Sequence, residues 1–184
     1  MSLACPDIAF YDGERIPVRS ASVDLVLLIE VLEHVNERNQ LLIEICRVLT
    51  RDGVAIISTP WSARIHYAPH DYFRPTPFEI YRLATESGLT MIEVIPRGST
   101  AAVIANKLAI APLTALKARR SIAVIFVLMT PLIAVLHVIG LLQIALGVAN
   151  PSDPLGFTFK LKKISPRLEV ELQDRLHKQI SGRD

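Results

Sequence analysis

Two short segments hold most of the side chains that could take part in chemistry. The first is Glu30-Val-Leu-Glu-His34, which directly follows an apolar run. The second is the irregular stretch from residue 60 to 75, whose charged and aromatic groups include His66, His70, Asp71, Tyr72 and Arg74. Histidine and carboxylate side chains can accept protons or hold a polar substrate. The sequence has neither a Gly-x-Ser-x-Gly motif nor a paired Cys–His pattern, so covalent catalysis through a nucleophile is not indicated.

His66, His70 and Asp71 are residue types that ligate metals. Their spacing is irregular and no fourth ligand accompanies them, so the sequence predicts no metal site. His66 and Asp71 fit better as groups that line the substrate side of a site, where Tyr72 and Arg74 could bind a sugar or a phosphate. The alternative is a packed loop in which Arg74 pairs with a carboxylate.

The two segments follow predicted strands that flank one predicted helix. Apolar runs predict strands at Val23–Ile29 and Val54–Ser58, and helical spacing predicts a helix whose apolar face contains Leu41, Leu42, Ile45, Val48 and Leu49. Asn36 is the expected N-cap and Asp52-Gly53 the expected end of this helix. Strands that are apolar on both faces are typical of parallel sheets covered by helices. Ligands of such sheets bind at the carboxyl ends of the strands, where this pattern places Glu30, Glu33 and His34.

The rest of the chain continues the alternation of helices and strands. Thr76-Pro-Phe-Glu79 predicts a helix start with a capping box. Further strands are predicted at Ala9–Tyr11, Thr90–Ile95 and Gly156–Lys162, the last nearer an edge of the sheet because apolar and polar residues alternate. Helical segments are predicted at Ala101–Leu116, at Ile122–Ala149 with an interruption near Pro131, and at Leu168–Ile180 as an amphipathic tail.

Composition limits the classes of function. The chain has 184 residues, which suggests one domain with an appendage, and its net charge of +2 is too small to indicate nucleic-acid binding. No nucleic-acid motif is present. The two cysteines form neither a disulfide framework nor a zinc pattern, which favours a reducing compartment. No signal peptide is predicted at the N-terminus.

An ordered set of motifs carries a family resemblance. It consists of Asp12, Pro17 and Asp24 leading into the first strand, Glu33-His34-Val35 after it, Arg47-Val-Leu and Asp52-Gly53 before the next strand, and Ser58-Thr-Pro60. The set resembles class I (Rossmann-like) S-adenosylmethionine-dependent methyltransferases, in particular the type 11 group. Segment 66–76 resembles a loop of a subgroup linked to surface-polysaccharide and glycolipid biosynthesis, and segment 155–163 resembles the family's final strand.

The resemblance implies a fold, a cofactor and roles for several residues. The implied fold is α/β, with parallel strands and an antiparallel edge strand. The cofactor would be S-adenosyl-L-methionine, with Asp12, Gly13 and Glu30 as contacts, although Asp12-Gly13 is also an ordinary turn sequence. His34, His66 and Asp71 would be catalytic groups. His34 could alternatively orient the loop by bonding to its backbone.

The family opens with a strand and a glycine-rich loop that holds the cofactor, and this sequence contains neither. The resemblance therefore implies an N-terminally truncated methyltransferase whose activity is in doubt. The expected consequence is an exposed sheet edge, which invites pairing with another chain and a homo-oligomer.

The segment from residue 101 to 149 is far more apolar than the rest, and Ile122 to Ala149 contains no Asp, Glu, Lys or Arg. It divides the chain into a core at 1–98, an apolar helical insertion at 99–150, and a final strand with a tail at 151–184. One crossing of a bilayer would separate the last strand from its sheet, and two crossings would translocate basic residues. A helical pair lying in one leaflet, on the cytoplasmic side, conflicts least with the position of the last strand and of the basic residues. A buried helical insert or a dimer interface is the soluble alternative.

Three hypotheses about function follow. The first is a membrane-associated methyltransferase that uses S-adenosylmethionine and acts on a lipid-linked or glycan acceptor. The second is a non-catalytic remnant that serves as a membrane-bound interaction module. The third is a soluble methyltransferase fragment whose apolar segment packs internally.

Overall fold

A computed structural model describes residue 11 and residues 14–118, 128–148 and 153–163. Their elements, in chain order, are β1 (Val23–Ile29), a single 3-10 turn (Leu32–His34), α1 (Arg38–Val48), β2 (Leu49–Pro60), α2 (Pro77–Glu86), β3 (Leu89–Arg97), α3 (Thr100–Ala118), α4 (Thr130–Ala145) and β4 (Gly156–Lys163). The predicted Leu168–Ile180 helix lies outside the described residues, as does most of the predicted Ala9–Tyr11 strand.

The described strands form one mixed sheet in the order β1-β2-β4-β3. β1 and β2 are parallel, with Leu25 opposite Val54 and Ile29 opposite Ser58. This pairing confirms the predicted strand–helix–strand unit, and it places the residues that follow β1 and β2 at the same edge of the sheet.

The antiparallel strand is not at the edge, so that part of the predicted fold is wrong. β4 pairs antiparallel with β2 on one side and with β3 on the other. Phe157, Phe159 and Leu161 on one face of β4 are buried, whereas Thr158 and Lys160 on the other face are half-buried. The alternation of β4 therefore reflects a sheet with one covered face, and an interior strand of such a sheet alternates just as an edge strand does.

Helices α1 and α2 cover one face of the sheet. Their apolar residues join the inward residues of all four strands in a single core that includes Leu42, Ile45, Ile80, Ile57 and Phe159. On the opposite face of β1, Leu25, Leu27 and Ile29 are exposed, with 60% of Leu27 accessible. Within the described part of the chain, β1 is therefore half-buried on one face and exposed on the other, and not buried on both as predicted.

Local signals set most helix boundaries. Thr76 caps α2, and its side chain accepts a hydrogen bond from the Glu79 amide at 3.3 Å, as predicted. Asn36 does not cap α1, because the N-cap is Glu37 and its side chain makes no capping hydrogen bond. Asp52-Gly53 lies inside β2, where the pairing register shifts, and does not end α1.

Helices α3 and α4 pack against each other. Gly140 is the buried residue of α4, and a Cβ there would lie 3.0 Å from Ser99 Oγ and 3.1 Å from the Ala102 amide nitrogen, so glycine permits the close approach. Pro131 lies in the first turn of α4, where a proline is tolerated. Most other α4 side chains are exposed and apolar, among them Leu132, Val135, Val138, Leu141 and Leu142. None of the helices in the described ranges is both long enough and apolar enough to cross a bilayer.

Candidate functional site

Glu30 lies at the carboxyl end of β1 in a backbone conformation that is unusual for its residue type. Its φ is 52°, in the left-handed region that favours glycine. The Glu30 amide lies 3.2 Å from both the carbonyl oxygen and the Oγ of Ser58, at the matching end of β2. The Ser58 hydroxyl in turn donates to Glu30 Oε1 at 2.8 Å. Such strained residues persist where surrounding contacts hold them and often mark functional sites.

Arg97, at the end of β3, completes this cluster and was not identified from the sequence. Its Nη2 donates to Glu30 Oε1 and, at 3.1 Å, to the Thr59 carbonyl oxygen. Arg97 and Glu30 are 67 positions apart. The contact depends on the order of the strands, in which β4 lies between β2 and β3. No local sequence pattern predicts this order.

Glu33 and His34 occupy the 3-10 turn that follows β1. Glu33 is fully buried, and no other described residue donates a hydrogen bond to its carboxylate. Burial, and to a smaller extent the neighbouring Glu30 carboxylate, raises the pKa of Glu33. His34 Nδ1 lies 2.6 Å from the carbonyl oxygen of His70, so His34 ties the turn to the loop after β2. This contact matches the loop-orienting alternative for His34.

The loop after β2 is held by a carboxylate–guanidinium pair. Asp71 Oδ2 accepts hydrogen bonds from Arg74 Nη2 at 2.7 Å and from the His66 amide at 2.9 Å. The Arg74 guanidinium holds the pKa of Asp71 well below its usual range. Arg74 thus pairs with a carboxylate, as the packed-loop alternative expected. Tyr72 is bound to the turn through its amide, which donates to the Glu33 carbonyl oxygen at 2.9 Å.

A cleft of about 410 Å³ opens beside this loop. Its lining combines residues that follow β2 with residues of α3: Trp61, Ser62, Ala63, Arg64, Asn106, Lys107 and Ile110. In the described residues, Arg64 and Lys107 have no ion-pair partner. A second cleft of about 240 Å³ is lined in part by Asp71, Tyr72 and Arg74. In the first cleft, the Trp61 ring beside the cations Arg64 and Lys107 can hold a ligand that is both flat and anionic.

The structure brings six of the eight predicted site residues to one edge of the sheet. Glu30 lies there beside Ser58 and Arg97. The turn and loop contacts above link the other five residues, His34, His66, Asp71, Tyr72 and Arg74, and the rings of His34 and His66 meet with centroids 4.8 Å apart. Asp12 and Gly13 lie outside the described residues. The sequence placed Glu33 at this edge without assigning it a role, and it assigned no role to the cations Arg64, Arg97 and Lys107. The expected homo-oligomer is likewise not tested by a single chain.

Comparison with known proteins relates the chain to methyltransferases. Residues 5–57 match a methyltransferase domain. No curated protein matches the chain. Among solved structures, an O-methyltransferase from a trans-AT PKS multienzyme of Brevibacillus brevis, in complex with S-adenosyl-L-homocysteine, is 18% identical, with a TM-score of 0.52 over 91% of this chain and 54% of that one. The [4+2]-cyclase SpnF is 12% identical, with a TM-score of 0.51 over 84% of this chain and 56% of that one.

A putative methyltransferase from Haloferax volcanii, in complex with a methyltransferase activator, is 22% identical, with a TM-score of 0.43 over 47% of this chain and 41% of that one. The chain therefore spans between 41% and 56% of the length of these three proteins. The domain match and the two structures with TM-scores of 0.52 and 0.51 show that the chain has the α/β methyltransferase fold and resembles methyltransferase enzymes. Because one of these two structures is a cyclase, the fold by itself does not fix the reaction.

Proposed function

We propose that this chain is part of an S-adenosylmethionine-dependent methyltransferase that acts on a lipid-linked or glycan acceptor. The observation that carries the proposal is the parallel β1–β2 pair with Glu30 held in a left-handed conformation at its carboxyl edge. Parallel α/β sheets bind their ligands at that edge. The match of residues 5–57 to a methyltransferase domain supports methyl transfer as the reaction at this edge.

The residues present fit an adenosine-containing cofactor. Both hydrogen bonds of the Glu30 carboxylate fall on Oε1, and no described residue donates to Oε2, which leaves that oxygen able to accept from a ligand. Ile29 and Val31, on either side of Glu30, are 51% and 41% exposed and offer apolar surface to a flat ring. When bound, S-adenosylmethionine supplies a methyl group that is already activated on a sulfonium. The chain then has to position the two reactants and to accept a proton only where the acceptor loses one.

The 410 Å³ cleft supports an acceptor that carries a sugar or a phosphate. Trp61 supplies an aromatic face for a sugar ring, and Arg64 and Lys107 supply positive charge for a phosphate. Trp61 to Arg64 belong to the same loop as His66 and Asp71, so an acceptor bound in the cleft would lie against the loop that contacts His34.

Helix α4 supports association with a membrane surface. Its exposed side chains are almost all apolar, and its first turn and last turn contain no charged residue. Lys117, Arg119 and Arg120 precede it in the sequence and suit anionic headgroups on the cytoplasmic side. Packing of α3–α4 against another protein is the soluble alternative.

Calorimetric titration with S-adenosylmethionine tests the cofactor assignment. We expect binding to the wild-type chain and at least tenfold weaker binding to Glu30→Gln, because hydrogen bonds to charged groups contribute about 1.5–3 kcal/mol. Glu37→Gln is the control, since Glu37 is exposed at the N-cap of α1 and makes no side-chain capping bond. No heat at millimolar cofactor would remove catalysis from this chain.

Transfer of radiolabelled methyl groups to lipid extracts and to soluble glycans then separates the acceptor classes. Sedimentation with anionic vesicles tests the membrane contact. Leu141→Asp on α4 should reduce the bound fraction, whereas Ile43→Asp on α1 should not, although both side chains are exposed. Equal sedimentation of the two variants would argue against α4 as the contact.

The exposed apolar face of β1 favours a second candidate function, a non-catalytic interaction module. Leu25, Leu27 and Ile29 form a row on the first strand of the described sheet, where pairing or packing with another chain is possible. Self-association that is lost in Leu27→Glu, in a chain that gives no heat with cofactor, would favour this candidate.

A further inference from the structure

Three ligand atoms face one another beside the carboxyl end of β1. Glu33 Oε1 lies 3.8 Å from His34 Nε2 and 3.8 Å from His66 Nε2, and all three atoms lie within 4.8 Å of one another. Glu33 and His34 come from the 3-10 turn, and His66 comes from the loop after β2. The fold, and not the sequence spacing, assembles the group.

The other nitrogen of each ring fixes the position of the proton. His34 Nδ1 lies 2.6 Å from the His70 carbonyl oxygen. His66 Nδ1 lies 3.2 Å from a backbone carbonyl oxygen of its own loop and 3.3 Å from Asp71 Oδ2. Carbonyl and carboxylate oxygens only accept, so Nδ1 is the donor in both neutral rings. In that tautomer each Nε2 turns its lone pair toward the buried carboxylate.

Glu33 supplies an independent indication of a ligand. Its side chain is fully buried, and neither carboxylate oxygen receives a hydrogen bond from any other residue in the described part of the chain. Burying a carboxylate without a donor or a counter-charge is costly. Two nitrogen lone pairs and one carboxylate at the same point repel one another, and a cation bound between them would turn that repulsion into attraction.

We propose that Glu33, His34 and His66 bind one divalent transition-metal cation. Two imidazole nitrogens and a carboxylate oxygen suit Zn²⁺, Ni²⁺ or Fe²⁺ better than Mg²⁺, which prefers oxygen ligands. A common centre lies no more than about 2.5 Å from each ligand atom, against roughly 2.0–2.2 Å in zinc sites, so small side-chain rotations close the site. The Nδ1 contacts orient both rings, as in many metal centres. Three protein ligands leave at least one position for water or a substrate oxygen.

This set differs from the one considered in the sequence. His70 and Asp71 are not ligands here, because the His70 carbonyl and the Asp71 carboxylate face the Nδ1 atoms. The buried Glu33 replaces them. Since metal binding is measured without S-adenosylmethionine, the proposal stands or falls separately from methyl transfer.

Calorimetric titration of the untagged, chelator-treated chain with ZnCl₂ tests the site, and the visible absorption of added Co²⁺ reports imidazole ligation. His34→Asn and His66→Asn keep a donor near Nδ1 and remove Nε2, so each should weaken Zn²⁺ binding at least tenfold. His70→Asn is the matched control, because His70 is exposed in the same loop and its ring faces the Tyr72 hydroxyl. It should bind Zn²⁺ as the wild type does, and Mg²⁺ should bind more weakly than Zn²⁺.

Glu33→Gln gives a second readout that does not depend on a ligand titration. The metal-free variant should unfold at the same or a higher temperature than metal-free wild type, because a neutral amide is less costly to bury. Zn²⁺ should raise the unfolding temperature of the wild type and leave that of Glu33→Gln unchanged. The proposal is wrong if millimolar Zn²⁺ does not bind, if His66→Asn binds as well as wild type, or if Mg²⁺ binds more tightly.

Discussion

Replacing Gly156 by alanine tests the packing that brings Arg97 to Glu30. Gly156 pairs with Pro60 of β2 on one side and with Arg97 of β3 on the other. A Cβ at this position would lie 2.5 Å from the Thr59 carbonyl oxygen and 2.6 Å from Arg97 Nη2. Ordinary contact begins at 3.4 Å, so the methyl group has to displace its neighbours by roughly 1 Å.

The cost of this displacement follows from the position of β4. The strand is hydrogen-bonded on both sides and cannot move away from β2 without moving toward β3. Overpacking of a packed site costs about 1–3 kcal/mol, and we expect about 2–3 kcal/mol because the nearest atom belongs to the backbone. Displacing Arg97 from Glu30 adds only about 0.5 kcal/mol, since both side chains are partly exposed.

Urea denaturation followed by tryptophan fluorescence measures this effect locally. Trp61 is the only tryptophan, its amide donates to the Leu155 carbonyl oxygen at 2.9 Å, and its ring lies 6.2 Å from that of Phe157. Thr158→Ala, on the half-buried face of β4, is the matched control and should cost less than about 1 kcal/mol. A free energy of unfolding for Gly156→Ala within about 0.5 kcal/mol of wild type would refute the close approach of the three strands.

Three further results are expected. Phe159→Ala should lower the free energy of unfolding by about 3–5 kcal/mol, measured by urea denaturation, because Phe159 is fully buried. Its neighbour Lys160 is only half-buried, so Lys160→Ala should cost about 0.5 kcal/mol or less. Equal losses for the two variants would contradict the interior placement of β4. Thr76→Ala should cost about 1 kcal/mol in the same assay, through the lost cap of α2. The Arg47 guanidinium holds the pKa of Glu44 below its ordinary value of 4.5, so this pair stabilises the fold above that pH and the stabilisation is lost as the pH falls through the lowered pKa. Between about pH 6 and about pH 3, the unfolding temperature of Glu44→Gln should therefore fall less than that of the wild type. Equal falls in unfolding temperature would argue against the pair.

The elements that the sequence predicted well are those with strong local signals. β1 begins and ends where the apolar run does, at Val23 and Ile29. α2 starts at the predicted Thr76 cap, because the threonine hydroxyl and the following proline act within one turn of chain. Asp52-Gly53 misled the prediction, since its turn preference is overridden by the pairing of Leu49 and Val54, on either side of it, with β1 in the long β2 strand.

The parts of the site predicted from sequence are those that follow strands directly. Glu30 and His34 are at the expected edge because a parallel pair brings its carboxyl ends together. The role of Glu33 was not predictable, because nothing in the pattern shows that its carboxylate is buried between two histidines. Arg97 and Lys107 were missed because their contacts join segments far apart in the chain.

The sequence by itself determined the order of strands and helices and the residues that the first two strands deliver to their shared edge. Both depend on apolar periodicity and on turn and cap residues, which act over a few positions. Only the tertiary structure decided that β4 enters between β2 and β3, that Arg97 meets Glu30, and that Glu33 faces two imidazole nitrogens. These outcomes depend on contacts between distant segments, where burial and the geometry of the whole sheet select the partners.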